Sequence, residues 1–580
     1  MSLGRGLAIA FGIYTVAAVI LLHHPGFLAG TSYLGNGADP SLYIWMFRFL
    51  PLAVTHLQNP FVLQEAWAPV GLNITQATTT PMLALLAWPI TAAVGPVAAF
   101  NIVSIATPAL AATSCFAFAA TYAETWGTAF VAGWLFGFST YVFAALLGHL
   151  QVAFIAFVPL AFLVVRQRAA EKLTLAEFFC SLTLILIAQF LTSLETFVTE
   201  TIFLFLFTCV TELAQPDGIM RFVRLRSGNL VIGLIAVYAA VGIAMSPFIF
   251  NFFRDYTQMP HTLQNGGYWS LDLLDFMVPT PVTWLGGHLA WPIARHYTGN
   301  LSEDLGYIGM PLLLLTLLAA WRLRRDTQTR PLLAVLSCGF IFTIGPRLHI
   351  LGWHTVDILP WALMSKLPLL QNAEPGRLMV FVLLALSGLC ACWIDRLEQR
   401  RAITLCVFAG AVACTLPATL APSANWSTTA ASPTGSPATG EQRVWSTPVP
   451  TAQLFGTDAY RRLIRQDDTV LFLPLTVTNG AAMFWQLETN GYFRMINGYG
   501  NFIPRALEAW PAAQMLKAGA PGADFPQLFG QFARATGIDE VVIPASLLPV
   551  WNTALERSGW RPQTIGDLTV FTAPLRLAAP

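Results

Sequence analysis

The sequence predicts a polytopic α-helical membrane protein with about 11 transmembrane helices, short interfacial helices in its first outer loop, and a small C-terminal α/β domain. Three observations carry that prediction. Of 580 residues, 55% are hydrophobic and only 11% are charged, whereas soluble domains carry about 25% charge. Apolar runs long enough to cross a bilayer recur up to residue 420. Past residue 440 short β-like runs alternate with segments of helical spacing. The domains are therefore expected at 1–420 (membrane) and 441–580 (α/β), joined by a Ser/Thr/Pro/Ala-rich linker at 421–440.

The spans are expected near 6–23, 97–121, 128–147, 150–166, 174–193, 196–213, 229–250, 305–321, 331–345, 377–394 and 402–420. The apolar run Pro81–Val94 is too short to cross and is expected as a re-entrant or interfacial helix. With the N-terminus inside, the basic clusters fall on the cytoplasmic side: Arg5; Arg166, Arg168 and Lys172; Arg221, Arg224 and Arg226; Arg322, Arg324, Arg325 and Arg330; and Arg396, Arg400 and Arg401. The longer outer loops before residue 420 hold only Arg48, Arg254, Arg295, Arg347, Lys366 and Arg377. This asymmetry obeys the positive-inside rule.

A net charge of +1 gives no basic face for nucleic acid. The eight cysteines lie in apolar segments and leave the tail without a disulfide framework. Met1–Leu22 lacks a small-residue cleavage site and is expected to stay as the first span. His288/His296 and His349/His354 lack the i,i+4 spacing of a helical zinc pair.

The first outer loop holds Tyr33-Leu-Gly-Asn-Gly-Ala-Asp39-Pro-Ser-Leu-Tyr43. Asp39 suits a general base, and equally a turn, because Asp before Pro initiates turns. Leu42–Leu57 sets Trp45, Phe49 and Leu52 against Arg48 and His56, the pattern of a helix lying on the interface. His149 and Gln151 sit in a tight outer turn between two spans, where they could hydrogen-bond a sugar or phosphate. Glu195, in the next outer turn, has no basic partner nearby in sequence; it suits a divalent cation (Mg or Mn), a substrate or a distant Arg. Glu303 and Asp304 follow Ser302 and read as the capped start of a helix. In Glu374-Pro-Gly-Arg377 a cation opposes the helix macrodipole, so either an anion sits between it and the backbone N–H groups, or it pairs with Glu374. All these residues fall on the outer side, where no cytoplasmic nucleotide is present. A sugar donor there would be lipid-linked.

These features resemble the GT-C superfamily of membrane glycosyltransferases, which includes protein mannosyltransferases and lipid A aminoarabinose transferases. The likeness lies in a first span, a long outer loop with an acid (Asp39) and surface helices, many further spans and an outer C-terminal domain. Phe138-Ser-Thr-Tyr141, Gly148-His149-Leu-Gln151, Pro159-Leu160 and Glu374-Pro-Gly-Arg377 also resemble a broader set of bacterial multi-span proteins, some implicated in glycosylating cell-surface polymers. The resemblance makes Asp39 the catalytic or metal-associated carboxylate. Members often pair acids in this loop and several have an acid where His149 falls; here Ala38 and Pro40 flank a single Asp.

It implies transfer of a sugar from a polyprenyl phosphate to a lipid or glycan acceptor of the cell envelope, at the periplasmic face of a bacterial inner membrane. Asp39 would be the base, Arg377 with Glu374, His149, Gln151 and Arg48 would bind substrate, and Glu195 would position substrate or metal. The rival expectations are a flippase for a lipid-linked glycan and a non-catalytic assembly protein. A flippase predicts polar residues continuing inward, of which Glu200 is the deepest.

Overall fold

The computed structural model describes residues 3–215, 230–258, 266–367, 370–420, 426–428, 441–443, 445–477, 479–500 and 502–574. Arg221, Arg224, Arg226 and most of the expected 421–440 linker lie outside the described residues. Seven described helices are long and apolar enough to cross a membrane, and the pair Leu230–Ala244 and Ser246–Arg254, bent by 61°, adds an eighth if it is one span. The shorter apolar helices Met310–Leu323, Arg330–Thr343 and Arg401–Thr415 fall where the other three spans are expected. The chain is a multi-pass membrane protein. Large apolar side chains left exposed on its helices, such as Ile9, Val16 and Ile20 on the first, suit contact with lipid.

Trp126–Gly137 and Thr140–Leu146 form the innermost span, almost wholly buried. Gly133 and Gly137, four apart, allow it to touch the Pro96–Ala119 helix. A Cβ on Gly137 would lie 2.3 Å from Ala112 N, and one on Gly133 2.5 Å from Ala112 O. Without a hydrophobic force between helices in lipid, such small-residue contacts govern packing.

The first loop departs from the expected surface arrangement. The Asp39–Thr55 helix does not lie along an interface: Leu42, Tyr43, Ile44, Trp45, Met46, Phe47, Phe49 and Leu50 are all buried. They surround the helix rather than occupying one stripe, and a helix apolar all round must be covered on every side. Its cover includes the Gly480–Glu488 helix of the C-terminal region. Trp45 Nε1–H donates to Gln486 Oε1 at 2.6 Å, and the Gln486 amide donates to the Glu65 and Phe493 carbonyls at 2.8 Å each. The short helices Pro81–Leu86 and Trp88–Val94 do expose Leu86, Trp88 and Val94, as an interfacial segment would.

The C-terminal region holds a five-stranded sheet ordered Arg494–Met495, Thr469–Phe472, Glu540–Pro544, Leu568–Thr572, Arg561–Ile565. The first three strands run parallel, with Val470 opposite both Met495 and Glu540; the last two pairings are antiparallel. Parallel neighbours need crossover connections, and the helices Gly480–Glu488, Pro511–Ala518 and Phe525–Thr536 lie in them. This region is tied to the first loop by an antiparallel pair, Ser32–Leu34 with Ser446–Pro448.

Candidate active site

Asp39 is placed by a series of backbone constraints. Gly35 has φ +80 and packs so closely on the His149 turn that a Cβ would lie 2.7 Å from the Leu146 and Leu147 carbonyls. Only glycine tolerates both the conformation and the approach. Asn36 N–H donates to Leu147 O at 2.9 Å. Buried Asn101 accepts from Leu34 N–H and donates to the Phe27 and Ser32 carbonyls, fixing the loop to the second span. Asp39 then opens the Asp39–Thr55 helix, where the macrodipole favours an acid.

The His149 ring lies between two acids. Its Nδ1 is 2.9 Å from Asp39 Oδ2, and its Nε2 is 3.0 Å from Glu303 Oε1 and 3.2 Å from Ser302 Oγ. The Tyr499 hydroxyl donates to Asp39 Oδ1. The Tyr43 hydroxyl donates to buried Gln151 Oε1 and lies 3.4 Å from Asp39 Oδ2.

Arg377 gathers the remaining acids. Its Nη1 donates to Glu195; its Nε and Nη2 donate to Glu303 at 3.1 and 2.6 Å; and its Nη2 is 3.1 Å from Glu374. Glu195 also accepts the Glu374 N–H at 2.7 Å. Of the two expectations for Arg377, the i,i+3 pair with Glu374 forms and the anion cradle does not. The N–H groups of Gly376 and Arg377 are spent on the Trp269 and Glu374 carbonyls, in a 3₁₀ turn over Pro375–Leu378, and the guanidinium nitrogens all meet carboxylates. The Glu303 expectation also fails in its cause. No helix starts there: the next begins at Met310, and Glu303 faces Arg377 and His149.

Burial raises the Asp39 carboxyl, but the His149 hydrogen bond and charge, the Tyr499 hydroxyl and the Arg377 charge outweigh it and hold it below the usual aspartate value. Glu303 follows the same pattern, with Arg377 and His149 outweighing burial. Glu374 goes the other way. Burial pushes it well above the ordinary range; Arg377 opposes this while Glu303 and Glu195 add to it.

Asp39, His149, Gln151, Glu195, Glu374 and Arg377 thus meet in one cavity of about 300 Å³, together with Glu303 and Tyr499. Arg48 does not belong to it: it lies on the far part of its helix, donating to Asn490 at 2.5 Å. Tyr499 carried no sequence signal, because it sits in a loop of the C-terminal region without a motif. A second cavity of about 190 Å³ adjoins the first, lined by Phe190, Val198, Phe248 and Phe252. Thr78, Gln151, Glu195, Asn372 and Arg377 line both.

The site does not fit a divalent ion held by Asp39 and Glu303. The imidazole separates these acids, and its two nitrogens point apart, so one ion cannot reach both. Among the described residues, the group of three or more potential ligands whose atoms converge within 4.8 Å is Asp468, Asp539 and Glu540, which do not line the cavity.

No protein-family model and no curated protein matches the chain. Solved structures do. The arabinofuranosyltransferase AftD from Mycobacteria, in a mutant form, matches with TM-score 0.58 at 12% identity over 98% of this chain and 41% of AftD. A second AftD structure gives 0.56 at 13% identity over 99% and 40%. The chain therefore spans well under half the length of AftD. The Archaeoglobus fulgidus oligosaccharyltransferase tethered to an acceptor peptide gives a lower TM-score, 0.48, at 12% identity over 98% of this chain and 74% of that one. At such identities the AftD matches speak for the fold. The chain has the fold of the GT-C membrane glycosyltransferases.

Proposed function

We propose that the chain is a glycosyltransferase that moves a sugar from a polyprenyl-phosphate carrier to a cell-envelope acceptor at the outer face of the membrane. The observation that carries this reading is the joint between the two cavities. The second cavity carries an apolar wall of Phe190, Val198, Phe248 and Phe252 that suits an isoprenoid tail, and the first holds Asp39. The five residues common to both stand where a phosphate would link tail to sugar.

In this reading Asp39 accepts the proton of the acceptor hydroxyl. The acceptor oxygen bonds to the anomeric carbon as the bond from that carbon to the phosphate oxygen breaks, and polyprenyl phosphate leaves. An ionised carboxylate beside the reacting atoms is what a general base requires, and Asp39 is kept ionised by its neighbours. Gln151, Thr78 and Asn372 offer neutral hydrogen bonds to the phosphate, while Arg377 holds the acids in register. The fold shared with an arabinofuranosyltransferase supports the reaction class. The transport rival is disfavoured because Glu200 is buried in its span and does not line the central cavity.

The test uses purified protein in lipid nanodiscs with a panel of labelled polyprenyl-phosphate sugars, scoring free polyprenyl phosphate. Turnover by the native chain that Asp39→Asn abolishes is the expected result. Binding of a lipid-linked glycan without turnover of any donor would replace the transferase with a carrier or assembly role.

A further inference from the structure

We propose that His149, held as an imidazolium between Asp39 and Glu303, is the built-in cation of this site and occupies the place a divalent metal ion would take. The proposal deepens the transferase reading but depends on it only for activity.

The charge follows from a count of hydrogens. A neutral imidazole offers one N–H donor and one acceptor nitrogen. Here Nδ1 faces Asp39 Oδ2 at 2.9 Å, and an ionised carboxylate only accepts. Nε2 faces Glu303 Oε1 at 3.0 Å and Ser302 Oγ at 3.2 Å. Glu303 is itself an acceptor, taking Arg377 N–H groups on both oxygens. The one hydrogen of the Ser302 hydroxyl goes to Asn300 Oδ1 at 2.5 Å. Among the described residues no neighbour therefore gives a hydrogen to Nε2, so both nitrogens donate and the ring is cationic.

The surroundings favour that state. The ring is only 18% exposed, and its flanking acids are 17% and 4% exposed, so the charges are screened little by water. Arg377 is already committed to Glu195 and Glu303, with Glu374 at 3.1 Å. Among the described residues Asp39 otherwise meets the Tyr499 and Tyr43 hydroxyls, so His149 supplies the cation in direct contact with it. Two acids brought together across a sugar-sized cavity need a positive charge between them, and a fixed ring supplies it without an exchangeable ion. The ring also links the base to the Arg377 cluster through Glu303, which sets where Asp39 points.

The decisive measurement is Mn²⁺ binding, followed by electron paramagnetic resonance on the full chain in nanodiscs. Native protein and Asp39→Asn are expected to bind the same number of ions, any at Asp468, Asp539 and Glu540 being common to both. His149→Asp is expected to bind one more per chain. An ion bound by the native chain and lost in Asp39→Asn would overturn the proposal, as would a folded His149→Asp protein with no added ion. Solid-state ¹⁵N spectra, with His149 assigned by difference from His149→Gln, should show both ring nitrogens protonated near neutral pH; a neutral-tautomer pattern would overturn it. Donor turnover should be unchanged by a chelator in the native chain, and a loss that Mn²⁺ restores would overturn it. No turnover with any donor, beside the expected Mn²⁺ and ¹⁵N results, would count against the transferase reading alone.

Discussion

The Tyr499 hydroxyl donates to the Asp39 carboxylate across 460 residues of chain. The proposed base of the first loop is thus finished by a side chain from the C-terminal region. Removing that donor in Tyr499→Phe leaves burial less opposed, so the Asp39 carboxyl rises. Asp39 is below its ordinary value in the native chain, and a carboxylate base works above its folded-state value and fails as pH falls through it. The acid limb of the donor-consumption profile should therefore move to higher pH in Tyr499→Phe, with the limb of the native chain lying on the acid side.

Asp39→Asn preserves size and hydrogen bonding but removes the proton acceptor. General-base contributions are about 10²–10⁴-fold, and a loss in that range is expected in turnover, with thermal unfolding little changed.

Arg377→Met should be costly. It leaves Glu195 and Glu303 without the cation that holds them, and breaking one side of a buried ion cluster costs about 3–5 kcal/mol. Glu374→Gln should be mild by comparison, because burial already pushes that carboxyl well above the ordinary range and so weakens its charge. Thermal unfolding of the two variants in the same detergent makes the comparison.

Gln486→Leu strands the Trp45 indole N–H and the Phe493 carbonyl, while the Glu65 carbonyl keeps the Met495 N–H at 2.9 Å. Each buried group left unsatisfied costs about 1–3 kcal/mol. A clear fall in unfolding temperature is expected, whereas Arg48→Ala, outside the cavity, should leave donor turnover unchanged.

Much of this arrangement was legible in the sequence. The expected sidedness grouped Asp39, His149, Gln151, Glu195, Glu303, Asp304, Glu374 and Arg377, and all of these but Asp304 line one cavity. What each does was harder to read. Arg377 looked like an anion holder because the helix macrodipole was weighed without the distant acids Glu195 and Glu303. The Asp39–Thr55 helix was read as amphipathic from Trp45, Phe49 and Leu52, although Tyr43, Ile44, Met46 and Phe47 complete an apolar ring that signals burial. Tyr499 and Gln486 act through pairings of long sequence separation, which no local pattern encodes.

The pairing of Ser32–Leu34 with Ser446–Pro448 has a consequence for biosynthesis. A nascent chain that has threaded its last span already carries Asp39, His149 and Arg377, yet it has neither the strand that secures the first loop nor the helix that covers Trp45. Tyr499 lies later still in the chain. Maturation of the centre is thus coupled to arrival of the final stretch of chain, so a truncated product presents an uncovered apolar helix to quality control instead of a finished site.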